Sequence, residues 1–72
     1  VMVEVNVAPE HLGSVIAVLP CMREATVSSL HGGKGYAVKA AVERTMLPRL
    51  IPLIKAHGGC DVVVTAISQI IP

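Results

Sequence analysis

The stretch Val1-Met2-Val3-Glu4-Val5-Asn6-Val7 sets a valine at every odd position, the two-residue period of a strand with one buried face. Tyr36-Ala37-Val38-Lys39-Ala40-Ala41-Val42 lies 35 residues further on and alternates in the same phase. The same offset of 35 pairs Leu12 with Leu47, Val15 with Leu50, Ile16 with Ile51, Leu19 with Ile54 and Val27 with Val62. A fixed self-similarity of this kind marks a repeated supersecondary unit.

Each half supplies the rest of that unit. Pro9 stands where a helix can begin, because its missing N–H has no partner to lose there. Leu12, Val15, Ile16 and Leu19 follow as one apolar stripe, and Pro20 stops the run. Ala25 to Leu30 is expected to be a second strand, His31 to Gly35 a loop, and Asp61 to Ile67 a fourth strand. Thr45 is expected to cap a second helix with Pro48 in its first turn, Leu47, Leu50, Ile51 and Ile54 as its stripe, and Gly58-Gly59 as its close. Pro52 falls inside that helix and is expected to cost a hydrogen bond or bend it.

Strand–helix–strand twice over reads βαββαβ, one domain across residues 1–72. Right-handed crossovers place both helices on one face of a four-stranded antiparallel sheet, in strand order 4-1-3-2. The expected fold class is α+β, a ferredoxin-like sandwich. Strand four is apolar on both faces and lacks the lysines and prolines that discourage edge pairing, so another chain or domain is expected to cover it.

Composition narrows the function. Hydrophobic residues make up 53% of the chain and charged residues 15%, which excludes disorder. Tyr36 is the only aromatic residue and the net charge is +1, so neither stacking platforms nor a basic footprint for nucleic acid is present. No apolar run reaches the ~18 residues of a membrane span. A chain this short buries only about 60% of its unfolded surface, so self-association is an expected remedy. Two cysteines without a framework spacing fit a reducing, cytoplasmic setting. The chain opens at Val1 without an initiator methionine, and an origin in something longer is expected.

Catalytic and metal chemistry find little support. Glu4, Glu10, Glu24, Glu43 and Asp61 are scattered, with no spacing that forces two carboxylates together. Glu4, opposite the valines of its strand, reads as a polar residue on a wet sheet face. His57-Gly58-Gly59-Cys60 has a spacing a metal could use, but Cys21 and Cys60 precede strands on opposite edges, some ~14 Å apart. That separation excludes a disulfide or a shared metal within one chain, and no metal site is expected. Gly32-Gly33-Lys34-Gly35 runs from strand to strand rather than into a helix, as a phosphate cradle would, and reads as a hairpin connection.

Four segments carry a resemblance. Leu19-Pro20 followed by Ala25-Thr26-Val27-Ser28-Ser29-Leu30 resembles an "LPG…PTVSPL" signature, and Tyr36-Ala37-Val38 its "WYAV" strand. Leu50 to Gly59 is similar to "LIPKLKAAGA", and Ile67 to Pro72 to "IEKMIP". In this order they resemble the C-terminal regulatory domain of long-form ATP phosphoribosyltransferase, the first enzyme of histidine biosynthesis. The chain departs from the pattern at Cys21, Ala25, Gly35 and Gly59.

The resemblance implies an ACT-like domain that binds L-histidine between neighbouring regulatory domains and serves feedback inhibition. It implies no catalysis by this chain alone: the glycosyltransferase chemistry, and its magnesium, belong to upstream catalytic domains, with no cofactor expected here. By motif, the ligand residues fall on Asn6, Met22, Glu24 and Thr26, with Ala41 and Asp61 contributed by the opposing domain. Asn6 and Thr26 offer an amide and a hydroxyl, while Asp61 or Glu24 suits the ligand ammonium. The expected partners are L-histidine, further copies of the chain through the exposed sheet face and strand edge, and the upstream domains, with no nucleic acid and no membrane. The competing readings are a structural oligomerisation module without a ligand, for which Cys21 and Ala25 speak, and a metal-carrying domain of the same fold, which lacks the paired-cysteine loop.

Overall fold

The alternating valines set the architecture. A computed structural model describes residues 1–19 and 24–72. Strand β1 (Met2–Val7) lies at the centre of the sheet and buries Val3, Val5 and Val7. A short 3-10 turn at Pro9–His11 leads into helix α1 (Leu12–Val18). Strand β2 (Thr26–Ser29), a 3-10 turn at His31–Gly33 and strand β3 (Tyr36–Ala41) follow. A third 3-10 turn at Arg44–Met46 leads into helix α2 (Leu47–Ala56), and strand β4 (Gly59–Thr65) ends the sheet. All pairings are antiparallel, in the order β2-β3-β1-β4. The βαββαβ topology expected from the sequence is the one found.

The internal repeat extends to backbone detail. The two 3-10 turns that precede helices begin after an extended residue, Ala8 or Glu43, and both helices open at a leucine, Leu12 or Leu47, each pair 35 apart in the numbering. His11 N–H donates to Ala8 O and Met46 N–H to Glu43 O, both at 3.0 Å. Proline or a tight turn opens each crossover because it relieves orphan N–H groups before the helix proper starts.

Several expected boundaries shift. The cap of α2 is Met46, with Thr45 inside the preceding turn, and β4 starts at Gly59, two residues before the expected Asp61. Ile16 is 38% exposed, so the core stripe of α1 runs through Leu12, Val15, Val18 and Leu19 instead. Helix α2 continues through Pro52, whose ring faces solvent. Gly58 closes it at φ 102, a conformation that favours glycine. The glycine-rich segment joins β2 to β3 as a hairpin connection, with Gly32 at φ 84 and Gly33 at φ 67.

The core lies between the helices and one sheet face: Val3, Val5, Val7, Val15, Val38, Ala40, Val42, Leu50 and Ile54 are buried. Among the described residues no helix covers the other sheet face, which is largely bare apart from Glu24 and Ile70 at its Met2 end. Accessible surface totals 4861 Å², against roughly 4,200 Å² for a compact chain of this mass. No helix among the described residues is long and apolar enough to cross a membrane.

Candidate functional site

The bare face follows from register, because directly paired residues share a face. One row across it runs Val63, Glu4, Lys39, Thr26; the next towards the start of β1 runs Thr65, Met2, Ala41; towards its end lie Cys60, Asn6, Ala37 and Ser28. The polar members of the alternating strands thus collect on one surface. Glu4 pairs with Lys39 across the ladder, Oε1 to Nζ 3.7 Å, with both side chains about half exposed at 49% and 50%. An exposed pair at that distance adds little stability.

At the Met2 end of this face a cleft of about 190 Å³ opens. Glu24, Thr26 and Lys39 supply its charged and hydroxyl groups, and Met2, Ala41 and Ile70 its apolar lining. Thr26 is there because it opens β2, and Glu24 because it lies on the segment entering that strand. Ile70 arrives from the tail after β4, which leaves the sheet beside Met2 at Thr65.

The other end carries a different group. Between Glu4 and Asn6 the β1–β4 register shifts, so that Val5 alone on β1 stands against Asp61 and Val62 on β4. This is a β-bulge, and Asp61 occupies it at φ 52, in the left-handed region that aspartate tolerates better than most side chains. The bulge turns Asp61 towards β1, where Asn6 Nδ2 donates to its Oδ2 at 3.4 Å. Cys60 Sγ donates to Asn6 O at 3.3 Å.

The site residues expected from the sequence therefore form two groups. Glu24, Thr26 and Ala41 meet in the cleft; Asn6 and Asp61 meet at the bulge; Met22 lies outside the described residues. Met2 and Asn6 are four residues apart on one strand, so the groups are separated by ~13 Å within a single chain. Ala41, expected from an opposing domain, lines the cleft of its own chain beside Thr26. Sequence reasoning missed Met2, Lys39 and Ile70 as lining residues. The alternation already assigned Lys39 to the face opposite the buried residues, whereas the tail holding Ile70 has no periodicity to read.

The possible metal spacing is otherwise engaged: His57 Nδ1 lies 2.9 Å from Leu53 O, at the end of α2, while Cys60 contacts Asn6. Cys21 lies outside the described residues. Among the described residues no three His, Cys, Asp or Glu side chains gather where they could hold a metal ion.

Comparison with known proteins shows the family of the chain. A family model described as HisG, C-terminal domain, matches residues 1–69. An ATP phosphoribosyltransferase of Pyrobaculum aerophilum is 39% identical over 70 residues, covering 97% of this chain and 25% of that protein. Those of Sulfurisphaera tokodaii and Pelotomaculum thermopropionicum are 34% and 31% identical, covering 97% and 96% of this chain and 25% and 24% of those proteins. The chain spans about a quarter of the length of the relatives it matches.

Proposed function

The chain belongs to the HisG C-terminal domain family, and from that membership we propose that it is the regulatory domain of an ATP phosphoribosyltransferase, binding L-histidine for feedback inhibition. The observation that carries this reading is the cleft that gathers Glu24, Thr26 and Ala41. Free histidine brings an ammonium, a carboxylate and an imidazole, and the cleft offers an acid, a base, a hydroxyl and an apolar wall.

The ligand sits between neighbouring copies. The cleft of one copy and the Asn6–Asp61 end of another make one site from two groups that a single chain keeps apart. Support for such assembly comes from the bare sheet face and from β4, an edge strand with Val63 54% and Val64 38% exposed. Histidine then acts by favouring one arrangement of neighbouring domains, the differential affinity that allostery requires. Phosphoribosyl transfer and its magnesium belong to the catalytic domains of the longer protein, and this domain takes no part in the chemistry. A cytoplasmic location goes with that role.

Calorimetric titration with L-histidine, run beside sedimentation to fix the assembly state, tests the reading. Saturable binding weakened by Thr26→Ala supports it. A folded oligomer that takes up no histidine supports the second reading, an assembly module without a ligand, which the exposed β4 edge favours by itself.

A further inference from the structure

The cleft already described contains one charged group whose partner lies outside it. Lys39 sits in the middle of its row, with Thr26 on the cleft side and Glu4 on the other. Its Nζ is 3.7 Å from Glu4 Oε1, too long for a hydrogen bond, and an ammonium carries three donors. Glu4 is therefore a loose counter-charge that leaves the donors of Lys39 available to anything entering the cleft. Glu24, of opposite sign, stands in the same cleft, and Met2, Ala41 and Ile70 supply its apolar lining.

We propose that the cleft grips an α-amino acid by its zwitterionic end, Lys39 Nζ donating to the ligand carboxylate and Glu24 accepting from its ammonium, with Glu4 competing for Lys39 in the empty domain. This rests on the reading of the cleft as an amino-acid site and adds which group holds which end of the ligand. Charge-assisted hydrogen bonds of this kind outweigh an exposed ion pair, so Lys39 exchanges its partner when the ligand enters. Glu4 thereby sets the affinity without touching the ligand.

The test is calorimetric titration of the wild-type chain, Lys39→Met, Lys39→Arg and Glu4→Gln. The probes are L-histidine, histamine (which lacks the carboxylate), imidazole lactate (which lacks the ammonium) and the other L-amino acids. All three substitutions fall on exposed positions, and circular dichroism checks that the fold is kept. The expected result is that histamine and Lys39→Met each lose roughly tenfold or more in affinity. Lys39→Arg recovers part of it, and Glu4→Gln gains about two- to fivefold. Histidine binding that is indifferent to Lys39→Met and to the missing carboxylate overturns this inference while leaving the histidine reading intact. Binding of a different amino acid with the same dependence on Lys39 keeps the inference and overturns histidine as the ligand. No binding of any amino acid by the folded, assembled chain overturns both.

Discussion

The side-chain amide of Asn6 donates to Asp61 Oδ2 at 3.4 Å, tying the central strand to a bulge that Asp61 itself forms at φ 52. The contact is long and exposed, so its own contribution is small. The backbone conformation matters more, because a left-handed residue costs most side chains about 1–2 kcal/mol. Asp61→Ala is expected to destabilise by about 1 kcal/mol, Asp61→Val by more, and Asp61→Gly to be close to neutral. Urea unfolding of the three variants gives the order; an Ala variant as stable as Gly would show that the bulge is not a left-handed site.

Gly59 stands where the resembled motif has alanine, and the structure supplies the reason. A Cβ at this position would run into Ile54 Cγ2 and come within 2.8 Å of Val5 Cγ2, two side chains in the middle of the core. Gly59→Ala is expected to cost roughly 1–3 kcal/mol by overpacking. Gly59→Ala combined with Ile54→Val should recover part of that loss, read from denaturation midpoints. A Gly59→Ala chain of unchanged stability would mean that β4 can slide away from α2.

Helix α2 runs through Pro52, which has no N–H to give to Pro48 O one turn earlier. Pro52 is exposed, so replacing it disturbs no packing. Pro52→Ala is expected to stabilise by about 1 kcal/mol, the restored hydrogen bond and better propensity offset in part by a more flexible unfolded chain. Thermal unfolding measures this, and a lower melting temperature would show that the resembled motif keeps its proline for rigidity.

Strand β4 carries Val63 and Val64 on an unblocked edge, while the opposite edge, β2, is four residues long and all exposed. Val63→Lys is expected to abolish association through β4, seen as a fall in sedimentation coefficient with unchanged circular dichroism. Ser29→Lys on the opposite edge should leave the assembly as it was. Equal effects from both substitutions would remove β4 as the contact.

Most of the fold was legible along the chain. The odd-numbered valines and the 35-residue repeat identified the sheet strands, their order and the covered face, because period-two and period-3.6 patterns are local properties of burial. Boundaries were less legible. Asp61 breaks an apolar run and reads as the start of a strand; only pairing against β1 reveals it as an insertion within one. Ile16 matches the helical stripe, yet it is exposed while Val18 packs against the core, a choice of helix face that the local period leaves open.

The candidate site divides along the same line. The sequence by itself determined which residue types were present and which face of each strand they occupy, since side-chain direction follows from chain parity. Tertiary structure decided which of them meet. Register set Lys39 between Glu4 and Thr26, the bulge turned Asp61 to Asn6, and the return of the tail brought Ile70 to Met2 and Ala41. Those neighbours are 13 to 68 positions apart in the chain, and no local pattern records a distance that only the closing of the sheet creates.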